Sequence, residues 1–246
     1  MSSFRKGEGV IYCNMEEKFY ERIEGYHSIN SVSSSLISKV YVWMTLALAI
    51  TGITAYGVAT TPTLFMTMGK MMWGLVIAEL VLVFALSAAI NRLSLSVATL
   101  MFIVYSVLNG CMLSSIFYVY SPMIITKVFF ITAGTFGITA AYGYATKRDL
   151  SSFGRIFYMA LLGLFIATVV NFFMKSATLD YLLSYAGVII FTGLTAWDSQ
   201  KIRKLLQMQY EVDEKSQKLA LLGALTLYLD FINLFLYLLK IFGNKK

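Results

Sequence analysis

Charge is scarce in this chain: 13% of its 246 residues are Asp, Glu, Lys or Arg, while 58% are hydrophobic. A soluble domain carries about 25% charged and 45–50% apolar residues. The deficit excludes an ordinary soluble globular protein and points to a polytopic membrane protein. Histidine and cysteine are scarcer still. The only histidine, His27, and the two cysteines, Cys13 and Cys111, are far apart in sequence or sit in a polar leader. That spacing offers no disulfide framework and no zinc or haem site built from His and Cys, so no cofactor is expected. Proline occurs twice, which leaves long helices uninterrupted.

What is present is apolar runs. Seven are long enough to cross a bilayer, each near the ~20 residues that a helix needs. They cover residues 40–60, 71–91, 96–119, 124–146, 153–174, 179–200 and 219–242. An all-α, seven-helix membrane domain over 39–246 is expected, preceded by a polar cytosolic tail, 1–38. The tail lacks the basic-then-apolar order of a cleavable signal.

The net charge of +7 is placed between the runs, which reads as topology rather than nucleic-acid binding. Arg92, then Lys147, Arg148 and Arg155, then Lys201, Arg203, Lys204, Lys215 and Lys218 follow the even-numbered runs. The other side has single lysines at 70, 127 and 175, with Lys240, Lys245 and Lys246 at the end. The bias predicts a cytosolic N-terminus. A short echo, Asn91-Arg92-Leu93-Ser94 and Arg148-Asp149-Leu150-Ser151, hints at repeated hairpins or at chance.

Against this apolar background two carboxylates stand out. Asp198 closes the sixth run and Asp230 lies inside the seventh. A carboxylate at mid-bilayer costs roughly 2.5–3.5 kcal/mol even on the mildest scale, and such groups usually face a bundle interior or a wet cavity. In the seventh run Gly223, Thr226, Asp230, Asn233, Tyr237 and Lys240 are spaced 3, 4, 3, 4 and 3 apart. That spacing puts all six on one helical face. Small and polar residues on such a stripe can simply pack and hydrogen-bond between helices. Asp230 has no such local account, because Lys218 and Lys240 are roughly 18 and 15 Å away along the axis. Asp198 has one: Lys201 is a single turn on.

Glu79 lies near the middle of the second run and Arg92 at its end. Depth alone therefore groups Arg92 with Asp198, and Glu79 with Asp230, without pairing the two aspartates. If the aspartates do meet, they cannot both ionise cheaply and titrate as a unit. At low pH the pair would hold a proton between carboxyl and carboxylate. At higher pH it would attract a cation, with an arginine as competitor. Two carboxylates offer about four oxygens where calcium takes 6–8, so a transit site is favoured over a storage site.

Gly-Leu-Thr-Ala-Trp-Asp-Ser-Gln-Lys-Ile (193–202) and Leu-Gly-Ala-Leu-Thr-Leu-Tyr-Leu-Asp-Phe-Ile-Asn-Leu-Phe-Leu (222–236) resemble the transmembrane Bax-inhibitor motif family. The likeness extends through Tyr-Gly-Tyr-Ala-Thr-Lys-Arg-Asp-Leu-Ser (142–151) and Leu-Ser-Ser-Ile-Phe (113–117), and is strongest for the bacterial inner-membrane branch. The resemblance implies a bundle with helix seven in the centre and six around it. It also implies a pH-sensitive calcium leak and, in eukaryotic members, suppression of cell death. On this likeness Asp198 and Asp230 are the pH sensor and ion pathway, with transient calcium contact. Arg92 is the latch and Glu79 an accessory candidate; the helical stripe adds Thr226, Asn233 and Tyr237 as further accessory candidates.

The expected partners are the lipid bilayer, calcium, protons and membrane proteins. Two other classes compete with a cation leak. One is a non-transporting regulator that binds proteases or stress and cell-death proteins. The other is an intramembrane aspartyl protease, for which Trp197-Asp198 is a loose match, but Gly-x-Gly-Asp around Asp230 and a Pro-Ala-Leu motif are absent. No catalytic residues are therefore expected. A retinal protein is disfavoured because Lys240 is near the end of its helix, not the middle.

Overall fold

The computed structural model describes residues 5–243, with side chains described from residue 31. Cys13, His27 and the terminal Lys245 and Lys246 lie outside the described side chains. The helices are α1 (Arg5–Thr60), α2 (Pro62–Lys70), α3 (Met72–Ala89), α4 (Leu95–Leu113) and α5 (Ile116–Val119), then α6 (Pro122–Ala145), α7 (Ser151–Met174), α8 (Ala177–Gln207) and α9 (Glu214–Phe242). Among the described residues, seven segments are long and apolar enough to cross a membrane: Ser31–Thr60 of α1, then α3, Leu95–Val119, α6, α7, α8 and α9. No strand occurs among the described residues.

The turn chemistry explains the boundaries. Both prolines, Pro62 and Pro122, stand at helix starts, where a missing N–H costs nothing. Ser94, Ser121, Ser176 and Asp213 cap α4, α6, α8 and α9, each accepting a backbone N–H three residues on. The Leu-Ser echo does not survive as a structural repeat. Ser94 is an N-cap, whereas Ser151 is already helical and donates its hydroxyl to Asp149 at 2.8 Å.

Two boundaries differ from expectation. Lys39 falls inside α1 rather than at a span's edge, and Leu36 and Val40 are core residues. The sixth span runs to Gln207, two turns beyond its expected end at 200. The basic run after Asp198 reads as a loop by charge, yet its side chains find partners without breaking the helix. Lys201 stands over the Trp197 ring at 4.9 Å, and Lys204 pairs with Asp149 at 2.7 Å.

Helix α9 is the centre of the bundle: 67% of its most apolar stretch is buried, against 6% for α3 and α7. The six surrounding spans are not equivalent. Helices α1, α4, α6 and α8 pack against α9, whereas α3 is held mainly by α4, and α7 by α8. On the face of α9 away from Asp230, Tyr228 is fully buried and meets the Thr51 hydroxyl at 2.8 Å. The rings of Phe102 and Tyr105 enclose it edge-on, with centroids 5.8 and 5.9 Å away.

Close approach of α6 to α8 depends on Gly143, where a Cβ would overlap the main-chain carbonyl of Ala196. A Gly143→Val substitution should therefore lower stability by about 1–3 kcal/mol through overpacking. Gly163 of α7 has open space around it, so Gly163→Ala should raise stability by up to about 1 kcal/mol through helix propensity. Denaturant or thermal unfolding in micelles measures both.

A candidate carboxylate pair between two helices

The polar stripe of α9 lies along α8. A Cβ on Gly223 would touch Ile202 at 3.1 Å, Tyr237 stacks on Phe191 with centroids 5.8 Å apart, and Lys240 pairs with Asp180 at 2.8 Å. Between these contacts Asp230 meets Asp198, and the two carboxyl groups lie within hydrogen-bonding reach of each other. The depth argument had separated them. Helix α8 continues to Gln207, which sets Asp198 roughly 13 Å inside its helix rather than at the edge, and α9 begins at Glu214 and overshoots the end of α8, so equal depth cannot be counted from the loop.

Both aspartates are buried, at 7% and 5% exposure for Asp198 and Asp230. Asp230 Oδ2 is enclosed and receives no hydrogen bond from any described donor. Ionised carboxylates are acceptors only, so two facing each other gain nothing until a proton or a cation comes between them. Lys201, the local alternative for Asp198, forms no ion pair with it at contact distance, although its charge is felt there.

A cavity of about 230 Å³ reaches Asp198 from the end of the bundle where α3 and α8 finish, with Ser87, Lys201, Gly223 and Thr226 on its walls. Asp198 is the carboxylate that faces this cavity, and Asp230 stands behind it. Thr226 and Asn233 are satisfied within α9, donating to the carbonyls of Leu222 at 3.0 Å and Leu229 at 2.8 Å. Tyr237 is held between α8 and Thr168 of α7.

Arg92 is exposed in the α3–α4 turn and makes no ion pair with either aspartate. Glu79 is not beside Asp230. It belongs with Tyr105, Cys111 and Tyr228 on the other side of α9, and its Oε1 is enclosed without a donor. Among the described residues no three His, Cys, Asp or Glu side chains come together as a metal-binding group.

The residues around Asp198 that sequence reading passed over are those that hold its helix. Ser199 donates to the Ala140 carbonyl of α6 at 2.9 Å and meets the Tyr41 hydroxyl of α1 at 3.2 Å. Gln200 binds the α6–α7 loop by its main chain, accepting from Leu150 N at 2.9 Å and donating to the Arg148 carbonyl at 2.7 Å. Arg203 bonds the terminal carbonyls of α6 at Tyr144 and Thr146. The signal was a Gln inside an apolar helix, two residues past the aspartate.

The family-model match covers residues 33–246 and is described as "Inhibitor of apoptosis-promoting Bax1". The chain belongs to the Bax inhibitor-1-like family. It is 48% identical over 214 residues to "Inner membrane protein YbhL" of Escherichia coli K12, covering 85% of this chain and 92% of that protein. An uncharacterised protein of Borreliella burgdorferi is 39% identical over 218 residues, 87% of this chain and 94% of its own length. One from Rickettsia prowazekii is 41% identical over 210 residues, 85% and 89% respectively. The Bax inhibitor-1-like chain is thus an integral membrane protein.

Outside the bundle core, hydrogen bonds from the Lys204 ammonium and from Ser151 lower the Asp149 carboxyl to about 2. Its contribution is present above the ordinary carboxylate range and is lost only as pH falls through about 2. The clasp is therefore constant between pH 6 and 8. Side-chain carboxyl NMR should give an Asp149 midpoint near 2, moving toward about 3.9 in Lys204→Ala.

Proposed function

We propose that this protein is a proton-regulated leak pathway for cations, with calcium the principal ion, and that it carries no bond-making chemistry. The observation that supports this reading most is the burial of Asp198 against Asp230, with a cavity leading to Asp198 from one side. At low pH a shared proton makes one carboxyl a donor to the other and closes the pair. Loss of that proton leaves two acceptors, which a cation satisfies in the proton's place.

With only these two carboxylates to offer, a calcium ion must keep water or carbonyl ligands, which suits passage rather than retention. The charged groups that can compete with the cation are Lys201, on the cavity wall, and Arg92. Arg92 follows Ser87 of that wall by five residues, in the turn after α3, and serves here as the latch.

On this reading the N-terminus and the cavity face the cytosol, which the basic ends of the even-numbered spans support. The name of the Escherichia coli relative supports a bacterial inner membrane as the location. A second reading, a non-transporting regulator that binds proteases or cell-death proteins, is favoured by one feature. Met208 and Tyr210 of the α8–α9 loop are 68% and 75% exposed on the proposed cytosolic side.

Calcium uptake into proteoliposomes at pH 6 and pH 8 separates these readings. Wild type should show a several-fold difference between the two pH values, and Asp230→Asn should bring that ratio close to one. No uptake above empty liposomes at either pH, with the protein folded, would leave the regulator as the better reading.

A further inference from the structure

The chain has 13 methionines, and those at 66, 68, 71 and 72 crowd the break where α2 gives way to α3. Methionine ordinarily fills irregular gaps in a core. These residues do not. Helix α2 buries none of its side chains, and Met66, Met71 and Met72 are 69%, 57% and 47% exposed. Met68 and Met72 neither belong to the hydrophobic core nor pack against it.

Met68 and Met72 instead line a small cavity between this break and the end of α4, where Cys111 and Met112 form further parts of its wall. Four sulfur-bearing side chains from α2, α3 and α4 thus surround one space. Helix α2 is fixed over it by Phe65, whose ring stacks on Tyr118 with centroids 3.9 Å apart. Tyr118 in turn donates to the Ala59 carbonyl of α1 at 3.2 Å. The cavity adjoins the start of α3, whereas the one that reaches Asp198 adjoins its end.

The lining is chemically one-sided. No carboxylate, imidazole, ammonium or guanidinium group is part of it. Its two hydroxyls turn back onto α4, Ser114 donating to the Cys111 carbonyl at 2.6 Å and Ser115 to that of Met112 at 3.0 Å. Sulfur is left as the characteristic lone-pair donor. Calcium and magnesium require oxygen ligands. Thiolate combined with thioethers selects copper(I).

The neighbouring charge has the sign that such an ion needs. Met72, Leu75 and Glu79 are spaced 3 and 4 apart, on one face of α3. The charge of Glu79 is felt at Cys111, and its Oε1 is enclosed without a described donor. No described lysine or arginine forms an ion pair with Glu79. A cation beside Cys111 would offset that charge.

We propose that Met68, Met72, Cys111 and Met112 form a site for one soft monovalent metal ion, copper(I), at the end of the bundle remote from the basic loops. On binding, the Cys111 thiol releases its proton to water and its sulfur bonds the ion, while the thioethers complete the shell. No electron is transferred. The site shares no residue with the Asp198–Asp230 pair, and the proposal stands independently of a cation leak.

Anaerobic titration of the full chain with copper(I), in mild detergent and in competition with bathocuproine disulfonate, tests it. A Cys13→Ser background leaves Cys111 as the sole thiol. That protein should hold one copper(I), with X-ray absorption showing a shell of sulfur alone. Loss of an outer partner of a metal ligand already costs roughly 10–100-fold in affinity, so Cys111→Ser should cost about a hundredfold or more. Leucine conserves the volume of methionine, so the pair Met68→Leu with Met72→Leu should stay folded. It should weaken copper(I) binding about tenfold, at the low end of that range. Met66 and Met71 are not part of the cavity wall, so Met66→Leu with Met71→Leu should bind as the background protein does. No copper(I) retained against the chelator would overturn the proposal, as would nitrogen or oxygen in the shell. Equal weakening by the two leucine pairs would reduce the site to diffuse binding by exposed methionines and overturn it too. If Cys111→Ser does not fold, the contrast between the leucine pairs decides.

Discussion

Two acceptor-only groups facing each other in a low-dielectric interior impose the condition that governs this molecule. Asp198 and Asp230 cannot both ionise cheaply there, so their protonation is coupled. In the function proposed above, a proton and a cation compete for the gap between them. Contacts on either side of the pair keep α8 and α9 in the register that brings the two carboxyl groups together. Below the pair, as α9 runs on, Tyr237 and Lys240 are pinned to α8; above it, Gly223 lets Ile202 approach.

That register is why α9 can be central at all. A helix buried on most sides in a membrane bundle has no lipid-facing stripe on which to spend its hydrophobic residues. Leu227, Leu234 and Leu239 are fully or almost fully enclosed by neighbouring helices, and Tyr228 anchors the opposite face through Thr51. The polar face, by contrast, is nearly self-sufficient. Thr226 and Asn233 turn their donors back onto their own helix. Asp230 is the member of the stripe whose enclosed oxygen lacks a donor, which sets it apart from residues that share its spacing.

Much of the fold was legible in the sequence because the bilayer makes length and polarity nearly sufficient to place a helix. The seven runs follow from composition, and the polar stripe that turns Asp230 toward a neighbouring helix follows from periodicity; the central place of the last helix was implied by the family resemblance. The meeting of Asp198 with Asp230 did not, since depth was counted from a boundary that charge had placed at 200. Lys201, Arg203 and Lys204 were topology markers in one dimension; in three they are side chains with a ring, two carbonyls and a carboxylate to reach. Arg92 and Glu79 show the converse. Their sequence positions suggested partners at matching depth, but α3 is held mainly by α4, which sets Glu79 beside Tyr105 rather than Asp230, and Arg92 lies exposed in the turn after α3 without an ion pair.

The Gln200 contacts carry a consequence for how such chains diverge. Gln200 grips the α6–α7 loop through the carbonyl of Arg148 and the amide of Leu150, atoms that every residue type other than proline supplies. Mutational drift in the loop's side chains therefore leaves the grip intact, whereas a single change at Gln200 releases it. The main-chain part of the connection rests on one buried amide in α8. Asp149, paired with Lys204, is the loop side chain that adds to it.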